Sequence, residues 1–165
     1  MKTITHTNPN GKTVQVSVGE DSYIDENVTI DENVTIGEYA TIGSYSTIGE
    51  NVTIDSYSTI GSYSTIGEDS YIGEDSYIGE NVTIGPHSTI GSHLTIGRNA
   101  TIGENVTIGQ DATIGEGSHI RREVTIGKNA TIGKNATIGK NATIGKNAIV
   151  GQDATIAPGS TVGSK

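Results

Sequence analysis

Four histidines, His6, His87, His93 and His119, are the residues on which a zinc-centre or enzyme claim would rest, since the 165 residues include no cysteine. Without thiols there is no disulfide, no thiolate nucleophile and no thiolate metal ligand. Zinc needs each imidazole nitrogen within about 2.1 Å. His87 and His93 stand six residues apart, and four extended residues already span about 13 Å. One chain therefore does not chelate zinc with that pair, and a third histidine would have to come from a neighbouring copy. No Ser-His-Asp order, phosphate loop or dinucleotide fingerprint is present, and the frequent glycines recur at a fixed spacing instead of clustering.

That spacing is six, and it governs the whole chain. From Val18 to Val162 an aliphatic residue stands at every sixth position, in units such as Ile102-Gly103-Glu104-Asn105-Val106-Thr107. A period of six fits neither the 3.6 of a helix nor a long flat strand. It fits a short strand followed by a corner. Alternation turns Val106 inward, Thr107 outward and Ile108 inward. Asn or Asp before the small inward residue suits a left-handed corner, and Gly after the Ile removes bulk at the bend. Residues 1–17 break the period: Thr3-Ile4-Thr5 and Val14–Val18 alternate around Asn8-Pro9-Asn10-Gly11, which predicts a β-hairpin.

These hexads resemble the hexapeptide-repeat family, whose fold is a left-handed parallel β-helix with three hexads per coil. The resemblance implies an all-β solenoid over residues 18–165, about eight coils spaced about 4.8 Å apart, with residues 1–17 as an N-terminal β-hairpin cap. The handedness comes from the resemblance, since parallel crossovers are ordinarily right-handed. Many relatives are acyltransferases and others are gamma-class carbonic anhydrases. Enzymatic members commonly carry long loops at the corners and sites between the chains of a trimer. No insertion interrupts the hexads between Val18 and Val162, and the ligand positions of the carbonic anhydrases do not match His87, His93 or His119.

With 18 residues per coil, residues i and i+18 stack. One outward ladder runs through Thr29, Thr47, Thr65, Thr83, Thr101, His119, Thr137 and Thr155, and Tyr39 lies under Tyr57 as Tyr45 lies under Tyr63. Residues 86–123 depart most from the consensus. Leu94, Arg98, Arg121 and Arg122 are the candidate interface residues there, and Ile120-Arg121 is similar to an arginine at the trimer interface of the carbonic anhydrases. Arg122 stacks one coil from Glu104, which predicts an ion pair. The Asn-X-Thr tripeptides, such as those at Asn27 and Asn141, follow from the hexad and need no glycosylation.

Residues 20–80 carry acidic side chains and no basic one, whereas basic residues dominate beyond Arg121; the net charge is −9. An acidic chain is a poor nucleic-acid binder, and no apolar run approaches a membrane span or a signal peptide. Regularity at every level points to an idealised sequence, designed or duplicated. The function expected from the sequence is a structural or self-assembling scaffold without catalysis, metal or cofactor, associating as a trimer or end to end. Its rivals are a trimeric acyltransferase or zinc-dependent hydratase, and an ice- or mineral-binding threonine ladder.

Overall fold

The computed structural model describes residues 1–163; positions 164 and 165 of the expected solenoid lie outside the described residues. β1 (Lys2–Thr7) and β2 (Thr13–Val18) form an antiparallel hairpin with Lys2 opposite Val18. Twenty-four two-residue strands follow, from β3 (Tyr23–Ile24) to β26 (Thr161–Val162). Every third strand pairs in parallel with exact i/i+18 register, as Thr83 with Thr101 and Ile84 with Ile102. Three flat faces result. The first is the sheet containing β1, β2 and β26. The second runs from β3 to β24 (Ile149–Val150), and the third from β4 (Thr29–Ile30) to β25 (Thr155–Ile156).

The corner chemistry accounts for the turn. From Asp21 to Asp153 the residue before the small inward position has φ between 51° and 62° at every corner except that of Gly117, which has φ 67°. Asn and Asp carry most of these positions, and Tyr39, His87, His93 and Glu123 adopt the same left-handed conformation against their preference. Glycine serves a separate purpose. A Cβ on Gly103 would lie 2.6 Å from the backbone nitrogen of Arg122, so the following coil passes where a side chain would stand.

Inside, Ile30 through Ile144 form columns with almost no exposure, each fully buried isoleucine contributing about 1.5–3 kcal/mol. The small inward slot alternates with them. Where that slot holds a fully buried serine, the hydroxyl donates to a corner carbonyl of the next coil: Ser58 Oγ to Gly73 O at 2.8 Å, and Ser118 Oγ to Gly133 O at 2.9 Å. No buried side-chain polar atom among the described residues lacks a partner. Leu94 also occupies a small inward slot and is 1% exposed. It is a core residue, which corrects its place among the interface candidates.

The hairpin closes the first coil by a side-chain device. Asn8, itself buried, accepts from Ile30 N at 2.8 Å and donates to Ile30 O at 2.9 Å. His6 Nε2 lies 2.9 Å from Val28 O. A carbonyl only accepts, so Nε2 carries the hydrogen in that contact. His6 is thereby tied to the backbone of the third sheet's first coil.

Candidate functional site

Along the third face the outward ladder is threonine at every coil but one, where β19 (His119–Ile120) presents His119 between Thr101 and Thr137. The imidazole is exposed. Beside it opens a groove of about 580 Å³, lined by Thr101, Ile120, Arg121, Arg122, Thr137 and Lys140 among others. Lys140 Nζ lies 3.4 Å from Glu123 Oε2. Arg121 and Arg122 form no ion pair among the described residues. The pair expected between Arg122 and Glu104 is therefore not made: Glu104 Oε1 accepts instead from the Asn105 amide at 3.0 Å. The two guanidinium groups and one ammonium thus border the groove, and His119, which does not itself line it, stands next to Ile120 at its edge.

The other histidines stand elsewhere. His87 sits on the corner between the third and first faces, its Nδ1 3.4 Å from Asp69 Oδ2 one coil earlier. His93 sits on the next corner, with Nδ1 3.4 Å from Asp75 Oδ2. Both contacts are exposed, and such pairs contribute about 0–1 kcal/mol. Among the described residues no three His, Asp or Glu side chains are grouped to hold a metal ion. Arg98 lies at the corner between the second and third faces and, with Tyr77 and Glu80, lines a shallow cleft of about 320 Å³. Lys140 is the residue of the groove that the sequence reading passed over, since it belongs to a run of near-identical Gly-Lys-Asn-Ala units.

Two carboxylate contacts shift titration elsewhere on the surface. The Ser44 hydroxyl donates to Asp25 at 2.7 Å and the Glu26 backbone N–H adds a second bond, holding the Asp25 carboxyl below its ordinary value. Tyr71 donates to Asp55 Oδ2 at 2.7 Å, and this bond leads the causes that raise its phenol pKa.

The bacterial transferase hexapeptide (six repeats) family matches residues 15–50, 45–79, 75–110, 105–140 and 129–164. Among solved structures, a UDP-N-acetylglucosamine acyltransferase from Bacteroides fragilis aligns with a TM-score of 0.63 at 22% identity, over 89% of this chain and 65% of that one. The chain thus spans less than two thirds of that enzyme. The acetyltransferase domain of PglB from Neisseria gonorrhoeae aligns at 18% identity and a TM-score of 0.46, over 82% and 53% of the two chains. A perosamine N-acetyltransferase from Caulobacter crescentus aligns at 15% and 0.44, over 81% and 53%. No curated protein sequence matches. The fold is accordingly the left-handed parallel β-helix. The expectation of a chain without catalysis is overturned, because the family whose model matches the chain is one of bacterial transferases. By a match that runs over nearly its whole length, this chain belongs to the bacterial transferase hexapeptide family.

Proposed function

We propose that the chain is a self-associating acyltransferase that works on its third face. The observation that carries this reading is His119, the single break in that face's threonine ladder, beside a groove bordered by Arg121, Arg122 and Lys140. An imidazole is the side chain best suited to take a proton near neutral pH. In the reaction His119 removes the proton from an acceptor hydroxyl or amine, whose lone pair attacks the carbonyl carbon of a thioester. The new C–O or C–N bond forms, the C–S bond breaks, and the leaving thiolate takes the proton back from the imidazolium. The three cations hold anionic groups of the donor or acceptor, such as the phosphates of an acyl-coenzyme thioester or a nucleotide sugar. The names of the relatives support a sugar acceptor.

Thiol release from acetyl- and longer acyl-coenzyme thioesters, measured with and without amino-sugar and nucleotide-sugar acceptors, tests the reading. Acceptor-dependent release is expected, with His119→Gln lowering kcat by about 100-fold or more and Arg122→Ala raising KM for the donor. Undiminished turnover in His119→Gln would overturn it.

A further inference from the structure

The three sheets finish differently at the amino-terminal end of the solenoid. The first is closed by β1, paired along β2. On the third, Asn8 takes both backbone groups of Ile30 and His6 takes the carbonyl of Val28. The second is left open: β3 pairs only with β6 (Thr41–Ile42), one coil further on. Ile24 fills in β3 the slot that Ile30 fills in β4, so its N–H and C=O point away from β6, toward the amino-terminal end. Among the described residues neither group has a hydrogen-bond partner. Ile24 is only half-buried, whereas Ile30 is fully buried. Beside this edge opens a cleft of about 470 Å³, walled by Lys2, Ile4 and His6 of β1 and by Asp21, Tyr23 and Ile24. An unpaired strand edge is a template for another strand.

The residues around β3 identify the occupant. Glu20 and Asp21 precede the strand and Asp25 and Glu26 follow it, against the one cation Lys2. We infer that this edge accepts an extended basic peptide segment by strand addition, with a cation on each side of a two-residue strand. The register of the solenoid supplies the fit. A parallel strand laid one coil before β3 sets an outward residue beside Tyr23 and an inward aliphatic one against Ile24, completing its burial. Its cations then fall beside Glu20 and Glu26. One of its carbonyls accepts from Ile24 N. An N–H two residues later donates to Ile24 O, as Asp25 N donates to Ile42 O at 2.9 Å in the coil that follows.

A second solenoid does not fit head to tail. The open edges at its carboxy-terminal end belong to β24, β25 and β26. With β24 laid against β3, its β23 (Thr143–Ile144) would fall where β1 lies and its β26 where β2 lies. Two amino-terminal ends brought together would set the same carboxylates against each other. The hairpin thus admits a loose segment and refuses a folded coil. The edge stands at the end of the solenoid, so association through any side face leaves it open, and the inference does not rest on the acyl-transfer reading.

The probe is a heptapeptide, fluorescently labelled at its amino end and amidated at the other, with the sequence Lys128-Asn129-Ala130-Thr131-Ile132-Gly133-Lys134. It carries a strand of the second sheet between lysines from the columns of Glu20 and Glu26. Anisotropy with the full chain should show saturable binding of one peptide per chain, weakening as salt rises. Methylating the glycine nitrogen removes the donor to Ile24 O and should weaken binding about tenfold. Glu20→Lys together with Glu26→Lys should weaken it about tenfold or more. Neither carboxylate makes an ion pair among the described residues, so the chain loses none of its own. A peptide with cysteine in place of its threonine should form a disulfide with chains carrying Tyr23→Cys. It should not do so with chains carrying Thr95→Cys, whose strand β15 (Thr95–Ile96) is paired on both sides. Absence of saturable binding up to about 1 mM, indifference to the methyl group or to the charge reversals, or trapping by Thr95→Cys would each overturn the proposal.

Discussion

Asn8 both donates to and accepts from the backbone of Ile30, so one side chain completes the outer edge of the third sheet. Every later coil obtains the same bonds from a neighbouring strand. Asn8→Ala removes both partners at once and leaves a buried N–H and C=O unpaired. The expected loss is about 2 kcal/mol or more, read as a lower urea midpoint with an unchanged slope. Asn8→Asp keeps an acceptor but sets a buried carboxylate oxygen against the Ile30 carbonyl, and should lose at least as much as Asn8→Ala.

Position along the hexad should decide the effect of a charge. Ile102 is buried in a column of isoleucines, and Ile102→Asp places a carboxylate where neither water nor a cation reaches it. A loss of several kcal/mol is expected. Thr107, in the following strand but pointing outward, should tolerate lysine to within about 0.5 kcal/mol. Thermal melting of the two variants side by side checks the register.

Glu123 holds φ 60° in a corner that asparagine or glycine fills more comfortably. Glu123→Asn should stabilise the fold by about 0.5–1 kcal/mol, even after losing the exposed contact with Lys140. A melting temperature that falls in this variant would mean that the Glu123–Lys140 pair outweighs the backbone preference.

The hydroxyl of Ser44 is the leading cause of the depressed Asp25 pKa. Ser44→Ala should move that pKa upward, toward the ordinary carboxylate value, in an NMR titration. The sign for stability follows. A depressed folded-state pKa favours folding above the unfolded value, and this advantage disappears as pH falls through the folded value. The variant should therefore lose less stability than wild type on acidification.

Much of this was legible because the period of six is itself a structural statement. Spacing alone placed Ile inward, Thr outward and Asn in the left-handed corner, as Ile108, Thr107 and Asn105 show. Leu94 was misplaced because its rarity drew attention from its slot: it falls in the inward register shared by Ser88 and Ala100, where burial follows whatever the side chain. The Arg122–Glu104 pair failed because stacked backbones do not align flexible tips. Two of the lysine pairs that form, Lys128–Asp111 and Lys140–Glu123, reach the preceding coil at a spacing of 17. The serine hydroxyls read as small fillers, although their bonds to corner carbonyls cross from one coil to the next. The groove beside His119 arises from side chains of several coils at one edge, which no single hexad displays.

Because each strand is bonded only to the strands one coil before and one coil after it, tension has no long-range contact to break. A pull on the two ends of the chain would peel the terminal coil while the remainder stays intact. Each event would release 18 residues, a contour length of roughly 60 Å, at nearly uniform force, because successive coils present nearly the same set of bonds. A single molecule held by its ends would lengthen in even increments, like thread drawn from a spool.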